Sequence, residues 1–365
     1  MNTTAAVLVA INRPLQIEEL KVPPLKKGQV LVEIAYSGIC HSQLNEIHGL
    51  KGEDKFLPHT LGHEGSGIVI ETGSDVTKVK PGDPVVLTWI KGRGYDAPST
   101  QYVRSNGTFV NSGAISTFMT HAVISENRLV TLSKTMPLKE AALLGCAIPT
   151  GAGIVINSAR MQPGQSVAIF GMGGIGLSAL LMAGHINREA YERQNINDAI
   201  IAAIDVSDDK LSLARQMGAT HTINAEIQNP LDALMAMTAG QGVHYAIEAA
   251  GQRAVMEQAF RSVRDKGGLC ILAGNLPQGE TISIDPFNLI KGKRIAGTWG
   301  GETDPDRDIP FYEESFLAHR MDFRPFIHST STLHRINNAI HKMETGQAGR
   351  CLIEMKPTQS NELNY

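Results

Sequence analysis

One glycine-rich segment constrains the fold of this chain more than any other feature of its sequence. Residues 171–176 read Gly-Met-Gly-Gly-Ile-Gly and follow an apolar run, residues 166–170, that is typical of a strand. Between a strand and a helix, such glycines allow a tight turn, a close approach of backbone N–H groups to a pyrophosphate, and close packing of the helix on the sheet. Because the chain has 36 glycines, an ordinary turn is the alternative. The predicted phosphate-binding residues are Gly171, Gly173, Gly174, Ile175 and Gly176, with the helix beginning near Ile175.

The sequence around this segment alternates strand-like and helix-like runs. Further apolar runs that predict strands occur at 199–204, 245–248, 268–272 and 294–297. The helix after the first of them should begin after Ser207, a favourable N-cap residue, and end before Gly218, a favourable residue just beyond a helix. Strands that alternate with helices predict an α/β domain with a doubly wound parallel sheet.

The N-terminal part of the chain has a different texture. Short β-rich runs, such as 30–34 and 67–71, alternate with Pro and Gly turns, which predicts an antiparallel, barrel-like domain. The texture changes near residue 138. We therefore predict a first domain over residues 1–147, a cofactor-binding domain over 148–298, and a return to the first domain over 299–365. We expect the polar tail from Thr358 to be disordered.

The composition argues against several classes of function. A net charge of −3 over 365 residues, with 42% hydrophobic and 19% charged residues, indicates neither a nucleic-acid partner nor an anionic membrane surface. No apolar run approaches the ~18 residues that suggest a membrane-spanning helix, and the N-terminus lacks the basic region of a signal peptide. Four widely spaced cysteines do not predict a disulfide framework. We expect a cytoplasmic protein.

Asp205 ends the second predicted strand of the α/β domain. A carboxylate at this point accepts the ribose hydroxyls of NAD and repels the 2′-phosphate of NADP, which predicts NAD as the cofactor. The usual gap from the last glycine to this carboxylate is about 20 residues, and here the gap is longer, from Gly176 to Asp205. We place the additional length in the charged stretch 187–195 of the intervening helix. The alternative is that Asp205 only begins the next helix.

Three residues far apart in the sequence, Cys40, His63 and Cys146, form a possible set of metal ligands. Two thiolates and an imidazole leave one position of a tetrahedral zinc open, as a Lewis-acid catalyst requires. Free cysteine is, however, among the most buried residue types, and a loop histidine often only forms hydrogen bonds. From the residues alone, the simpler interpretation is that the three are unrelated.

Four motifs together resemble the medium-chain zinc-dependent alcohol dehydrogenases, in the order and spacing of that family. They are Gly38-Ile39-Cys40-His41-Ser42, Leu61-Gly62-His63-Glu64-Gly65, Leu144-Gly145-Cys146-Ala147-Ile148-Pro149-Thr150-Gly151 and the glycine-rich segment 171–176. The resemblance spans roughly residues 5–355. It implies a GroES-like β-barrel catalytic domain, a Rossmann domain, and one catalytic Zn²⁺ in the cleft between them, held by Cys40, His63 and Cys146. It also implies that zinc polarises an alcohol oxygen while a hydride passes to NAD.

The same resemblance implies roles for residues around the metal. Ser42 matches the hydroxyl that takes the substrate proton, and Thr150 matches a residue that touches the nicotinamide. Glu64 matches a carboxylate close behind the zinc. Its alternative role is that of a buried partner of an arginine, which it can hold at the same time.

Other matched positions concern the phosphates and the substrate. His41 and Arg350 match cations near the pyrophosphate, and the alternative is two surface charges. Trp89 and Phe118 match residues that line an apolar alcohol pocket, although bare aromatic residues more often lie in a core. Further predicted cofactor contacts are Lys210 and Ala273.

The chain departs from the family pattern at three points. Residues 83–125 contain no cysteine, whereas many relatives have four there that bind a structural zinc. We therefore predict one zinc per chain and a lobe, residues 91–100, held by packing and hydrogen bonds. Gln43 stands where many relatives have an aspartate that orients the zinc histidine; its amide can accept the imidazole N–H but carries no charge. Asn45 replaces a titratable histidine of some proton relays, which leaves His48 as a candidate only by nearness in sequence.

These features predict an enzyme that transfers a hydride between a primary or secondary, apolar alcohol and NAD, giving an aldehyde or ketone. Three alternatives stay open: a polyol or amino-alcohol dehydrogenase, a zinc-free quinone or enoyl reductase of the same superfamily, and a non-catalytic protein that senses NAD. The sequence predicts neither a nucleic-acid nor a membrane partner. An edge strand at 294–297 that pairs with its own copy predicts a homodimer or homotetramer.

Overall fold

The structure is a computed structural model that describes residues 1–194, 199–346 and 350–356. The chain divides into two units. Unit 1 comprises Met1–Cys146, Asp304–Leu317 and Asp322–Tyr365, and unit 2 comprises Ala147–Thr303 and Ala318–Met321. The polar tail predicted from Thr358 lies outside the described residues.

The first part of unit 1 consists mainly of short strands joined by turns. The strands are β1 (Asn2–Leu8), β2 (Gln16–Lys21), β3 (Gln29–Gly38), β4 (His59–Thr60), β5 (Glu64–Thr72), β6 (Pro84–Thr88), β7 (Gln101–Val103), β8 (Phe109–Asn111), β9 (His121–Ser125) and β10 (Leu129–Thr131). The helices are α1 (His41–Ile47) and α2 (Leu138–Ala141), and a 3-10 turn, Ala142–Gly145, follows α2 directly.

Unit 2 alternates helices and strands. The helices are α3 (Ala147–Gly153), which continues as a π-helical turn (Ile154–Ser158), α4 (Gly174–Gln194), α5 (Asp208–Gln216), α6 (Pro230–Met237), α7 (Arg253–Ser262) and α8 (Pro286–Ile290). The strands are β11 (Val167–Phe170), β12 (Ile201–Asp205), β13 (His221–Asn224), β14 (Tyr245–Glu248), β15 (Leu269–Leu272) and β16 (Arg294–Gly297). They form one parallel sheet in the order β13-β12-β11-β14-β15-β16. The predicted doubly wound parallel sheet is confirmed.

The chain then returns to unit 1 and completes its second sheet. The last elements are α9 (Pro305–Leu317), β17 (Ile327–Thr332), α10 (Ile336–Glu344) and β18 (Arg350–Glu354). Strands β1, β2, β7, β8 and β4 close a small barrel, and the remaining strands form a sheet in the order β10-β6-β5-β3-β18-β17, with β9 also paired to β3. Most pairs are antiparallel as predicted, but β4 pairs with β8, and β17 with β18, in parallel.

Each unit has its own apolar core. In unit 1 the central strand β3 contributes Val30, Val32 and Ile34, each at most 1% exposed, because other structure covers both of its faces. In unit 2 the core includes Phe170 and Phe260. Burying one such side chain contributes about 1.5–3 kcal/mol, so these cores hold the loops at the strand ends in fixed positions.

Within the described ranges, no single helix is both long and apolar enough to cross a bilayer. Two consecutive short helical segments, Leu138–Gly145 and Ala147–Ser158, together have the length and composition of a membrane span, but they are bent by 53° at their junction.

Candidate functional site

Three loops of unit 1 bring Cys40, His63 and Cys146 together. Cys40 is the N-cap of α1, His63 directly precedes β5, and Cys146 follows the 3-10 turn after α2. Their ligand atoms all lie within 4.8 Å of one another, and the described residues contain one such group of His, Cys, Asp or Glu side chains. The interpretation of three unrelated residues is therefore wrong.

The polar atoms at this site fit a metal and an oxygen-bearing ligand. His63 Nε2 and Ser42 Oγ are buried and have no hydrogen-bond partner among the described residues. Burying a polar atom in this way costs about 1–3 kcal/mol, so both atoms are suited to contacts with ligands. Two cysteine sulfurs, as thiolates, and an imidazole nitrogen form the soft donor set that zinc prefers, with a fourth position left open.

A buried ion pair lies behind the three candidate ligands. The guanidinium of Arg350 is paired with Glu64, which is fully buried, and also donates to the carbonyl of Ile39 at 3.2 Å. Burial opposes the charge of Arg350, but the attraction of Glu64, Cys40 and Cys146 raises its pKa above the usual value. Glu64 is thus the buried partner of an arginine, as one interpretation predicted. The side chain of Arg350 is 7% exposed, so the interpretation of Arg350 as a surface charge is wrong.

Neighbouring groups favour a thiolate at Cys40. A hydrogen bond from Cys146 holds the pKa of the Cys40 thiol well below its usual value; burial opposes this, and His63 and Arg350 add to it. A thiolate, and not a thiol, binds a metal. Cys40 is therefore suited to bind a cation, whereas its hydrogen bond with Cys146 raises the pKa of the Cys146 thiol.

The first residues of α1 place the other predicted groups. His41 is the first residue of the helix and is exposed, whereas Gln43 is 1% exposed. The side chain of Gln43 contacts Nδ1 of His63 and accepts a hydrogen bond from the backbone N–H of Cys40 at 2.8 Å. Gln43 therefore does contact the candidate zinc histidine.

The two aromatic residues predicted to line a substrate pocket differ in exposure. Trp89 is half-buried, and its ring centroid lies 6.3 Å from that of His63 with an interplanar angle of 63°. Phe118 is fully buried in the apolar core of unit 1. The prediction for Phe118 is corrected, because core packing covers its whole surface, and Trp89 alone remains a pocket candidate.

The glycine-rich segment has the predicted geometry. It leaves β11 at Phe170, and Gly171 has φ +94°, a conformation that L side chains rarely adopt. A Cβ atom at Gly173 would meet no described atom within 4 Å, so backbone and ligand can approach closely there. Helix α4 begins at Gly174, one residue before the predicted start.

Asp205 lies beside this segment despite the longer gap. Its carboxylate accepts hydrogen bonds from the backbone N–H groups of Met172 at 2.6 Å, Val206 at 2.9 Å and Ser207 at 3.0 Å. The N-cap of α5 is Ser207, as predicted, and the bond from Met172 connects Asp205 to the glycine-rich segment as well as to the start of this helix. Lys210 Nζ lies 3.9 Å from Asp205 Oδ1.

The extra residues between Gly176 and Asp205 lie partly in the predicted stretch, 187–195. Residues 187–194 extend α4, whereas Asn195 lies outside the described residues. The other two predicted cofactor residues also lie in unit 2. Thr150 is 6% exposed, and its Oγ1 has no partner among the described residues. Ala273 follows β15 and donates its N–H to the carbonyl of Glu248 at 2.8 Å.

The same region contains a buried carboxylate, Glu248, that was not among the residues predicted from the sequence. Glu248 ends β14 and is fully buried; its carboxylate accepts from the backbone N–H groups of Ala250 at 2.9 Å and Gly251 at 2.8 Å. Burial raises the pKa of this carboxyl, and these hydrogen bonds oppose the rise. The signal that would have found it is the one used for Asp205, an acidic residue that ends an apolar strand.

Comparisons with known proteins identify the family. A family profile described as "Alcohol dehydrogenase GroES-like domain" matches residues 26–134, and one described as "Zinc-binding dehydrogenase" matches residues 194–314. The S-(hydroxymethyl)glutathione dehydrogenase of Photobacterium damsela subsp. piscicida is 33% identical over 379 aligned residues, covering 97% of this chain and 100% of that protein. The chain belongs to the medium-chain zinc-dependent alcohol dehydrogenases.

Solved structures agree on the fold of this alcohol dehydrogenase. The alcohol dehydrogenase zinc-binding domain protein of Burkholderia ambifaria is 30% identical with a TM-score of 0.87, and the benzyl alcohol dehydrogenase of Acinetobacter calcoaceticus is 29% identical with a TM-score of 0.86. Each match covers 98% of this chain and 100% of the other. The predicted GroES-like barrel and Rossmann sheet are confirmed.

The lobe of this alcohol dehydrogenase, residues 91–100, is tied to unit 1 by carboxylates. Glu126, 1% exposed, accepts from the backbone N–H groups of Thr77 at 2.6 Å, Lys78 at 2.7 Å and Tyr95 at 2.6 Å. Asp306 pairs with Lys78 and accepts from the backbone N–H of Arg93 at 2.5 Å. Hydrogen bonds therefore hold the lobe, as predicted.

His48 is not suited to the proton relay. Its Nδ1 lies 3.1 Å from Asn12 Oδ1, and its Nε2 lies 2.7 Å from Glu344 Oε1. Both ring nitrogens are thus engaged with other groups, and neither is left to take a proton from Ser42.

Proposed function

We propose that this alcohol dehydrogenase uses NAD and one zinc ion to interconvert small apolar alcohols with their aldehydes or ketones. The observation that carries the proposal is the meeting of Cys40, His63 and Cys146 within 4.8 Å, with His63 Nε2 available as a ligand atom. Zinc bound there supplies a Lewis acid for the substrate oxygen, and NAD supplies the hydride acceptor.

In this proposal, residues of unit 1 handle the substrate and its proton. Ser42 takes the proton of the alcohol, because its buried Oγ has no other partner among the described residues. Trp89, beside His63, gives the substrate an apolar contact and excludes water. Glu64 and Arg350 act on the site together, because their ion pair fixes a positive and a negative charge behind the ligands. The role of His41 and Arg350 at the pyrophosphate stays a prediction.

The proposed cofactor is NAD and not NADP. The glycine-rich segment would hold the pyrophosphate, and the buried carboxylate of Asp205 would accept the ribose hydroxyls and repel a 2′-phosphate. Lys210, 3.9 Å from Asp205, lies close enough to contact the same ribose. Thr150 and Ala273 are proposed contacts of the nicotinamide end, supported for Thr150 by its unpartnered Oγ1.

The proposal assigns residues 1–147 and 299–365 to the catalytic domain and 148–298 to the cofactor-binding domain, in a cytoplasmic enzyme.

We also propose that the enzyme forms a homo-oligomer built from dimers. Strand β16 is an edge of its sheet, and the nearby Phe287, Ile290 and Trp299 are 59%, 77% and 74% exposed. An unprotected edge beside exposed apolar side chains favours pairing with a second copy. Light scattering at micromolar concentration should give at least twice the 39.3 kDa of one chain; a mass near 39.3 kDa contradicts this part.

An NAD-linked activity screen tests the function. The zinc-loaded protein is offered primary, secondary and aromatic alcohols, polyols and amino alcohols, each with NAD and with NADP. We expect the highest kcat/KM for apolar alcohols with NAD. Preference for polyols or amino alcohols would support that alternative, and full activity after zinc removal would support a zinc-free reductase. No turnover by protein that holds zinc and binds NAD would support an NAD sensor.

A second candidate substrate is S-(hydroxymethyl)glutathione, the substrate named for the 33% identical relative. Formaldehyde with glutathione therefore forms a separate arm of the screen. If its kcat/KM exceeds that of every simple alcohol by tenfold or more, this candidate replaces the first.

A further inference from the structure

Gln43 bridges two groups at the start of α1. It is 1% exposed, and its Oε1 accepts the backbone N–H of Cys40 at 2.8 Å. Its Nε2 contacts Nδ1 of His63. The side chain therefore connects the backbone of one candidate zinc ligand with the imidazole of another.

The backbone determines which way the amide of Gln43 faces. The N–H of Cys40 can only donate, so the amide atom opposite it must be the carbonyl oxygen. The remaining amide group is an NH₂, which also can only donate. Since this NH₂ faces Nδ1 of His63, Nδ1 must be the acceptor, and the proton of a neutral imidazole is then on Nε2.

This arrangement conflicts with zinc binding. His63 Nε2 has no partner among the described residues and is the atom available to a metal, but a metal ligand must present a lone pair there. With the lone pair on Nε2, the proton moves to Nδ1 and meets the NH₂ of Gln43, so two donors face each other. Reversing the amide relieves that contact but turns the NH₂ towards the N–H of Cys40. One buried donor is left without an acceptor either way.

We propose that Gln43 is a positioning residue that weakens zinc binding, and that its amide reverses when zinc binds. The inference rests on the proposed zinc site. A carboxylate in the same place has two acceptor oxygens and would satisfy Cys40 N–H and His63 Nδ1–H together. Changes in the partners of metal-ligating histidines typically alter metal affinity by about 10–100-fold.

Competition with a chromogenic chelator, starting from the zinc-loaded full-length chain, gives the zinc Kd of each variant. Gln43→Glu, which keeps the length of the side chain, should bind zinc about 10–100-fold more tightly than wild type. Gln43→Met removes the opposing donor without adding charge and should bind zinc more tightly than wild type. The control is Gln29→Glu, the same change at a buried glutamine that contacts Lys26, Pro98 and Thr100 instead, and it should leave the Kd unchanged.

Hydrogen exchange of the zinc-loaded proteins provides a second measurement. The amide of Cys40 should exchange more slowly in Gln43→Glu than in wild type, because only the carboxylate keeps an acceptor for it. An unchanged Kd and exchange rate in Gln43→Glu, or zinc binding by Gln43→Met that is no tighter than that of wild type, would overturn the inference. If Gln43→Glu does not fold, the Kd of Gln43→Met decides alone. If wild type retains no zinc, the proposed function fails first, and the inference fails with it.

Discussion

Two regions of unit 1 treat their buried polar groups in opposite ways. In the lobe, residues 91–100, the carboxylates of Glu126 and Asp306 accept hydrogen bonds from the backbone on either side. At the candidate metal site, Ser42 Oγ and His63 Nε2 are buried without partners among the described residues. The resemblance places the lobe where many relatives bind a structural zinc, but here these two carboxylates are satisfied by backbone N–H groups.

The difference separates a structural region from a functional one. A buried polar atom without a hydrogen-bond partner lowers the stability of the fold by about 1–3 kcal/mol. A protein can keep such an atom where a bound ligand supplies the missing partner. A region whose buried carboxylates already accept hydrogen bonds from the backbone does not require a ligand to satisfy them. The comparison predicts that changes at the metal site affect metal and turnover, while changes at the lobe affect stability alone.

The largest expected effect is that of Cys146→Ala. Wild-type protein should carry close to one zinc per chain, because one ligand set is complete. The variant should lose the zinc and at least about 10³-fold of activity, since a metal Lewis acid supplies several kcal/mol. Elemental analysis and steady-state kinetics measure both. Cys270→Ala, at a cysteine buried in β15, should keep zinc. A reproducible wild-type content near two zinc ions would break the comparison, because the lobe would then hold metal.

The next effect is that of Ser42→Ala. Turnover should fall by about 10²–10⁴-fold, the range of general acid–base steps, while zinc content stays at the wild-type value, because Ser42 is not a ligand. Ser315→Ala is a matched control, since Ser315 Oγ is also buried without a partner among the described residues and lies in α9. If both variants lose turnover equally, or neither does, the absence of a partner for a buried hydroxyl does not indicate a role in catalysis.

Asp205 sharpens the comparison, because its carboxylate is matched by three backbone N–H groups and is still predicted to act on the cofactor. Asp205→Ser should narrow the preference for NAD over NADP by about tenfold or more, since a like charge opposite the 2′-phosphate is costly. The ratio of kcat/KM for the two cofactors measures this. Asp208→Ser, in the first turn of α5, should leave the ratio unchanged. Equal use of both cofactors by wild type would refute the assignment.

The smallest effect on activity is expected from Glu126→Gln. The free energy of unfolding should fall by about 1–3 kcal/mol, with zinc content and kcat unchanged. Burial opposes the charge of Glu126, but hydrogen bonds from Tyr95, Thr77 and Lys78 hold the pKa of this carboxyl below its usual value.

The lowered pKa of Glu126 gives this prediction a pH dependence. The stabilisation is fully present above the ordinary glutamate pKa and is lost as the pH falls through the lower folded value. Denaturant titrations at neutral pH and near pH 4 should therefore show the gap between wild type and Glu126→Gln closing in acid. Glu71→Gln, at an exposed position of β5, should show no gap. A loss of zinc in Glu126→Gln would contradict the separation of the two regions.

The fold was largely readable from sequence where apolar periodicity and glycine chemistry are strong. Strands β11, β14, β15 and β16 were predicted within one residue at each end, whereas β13 (His221–Asn224) was missed. That edge strand is polar and partly exposed, so it lacks the apolar run that predicts a strand. The parallel pairing of β17 with β18 depends on contacts between distant segments, which local patterns do not contain.

The candidate site was less readable. No local rule connects Cys40, His63 and Cys146, and only the resemblance grouped them. Core packing removed Phe118 from the pocket, a result that depends on the neighbours of its ring. The orientation of the Gln43 amide depends on the start of α1, where the backbone N–H of Cys40 donates a hydrogen bond to the amide oxygen. Sequence patterns do not contain this contact.

The position of β18 has a consequence for the order in which the protein is made. This strand, Arg350–Glu354, lies between β3 and β17, and its first residue is the partner of Glu64. On the ribosome, all of unit 2 emerges before these residues do. Until residues 350–354 have been translated, β3 lacks its partner β18 and Glu64 lacks its partner Arg350. The three candidate ligands are thus translated long before Arg350, whose ion pair with Glu64 lies behind them.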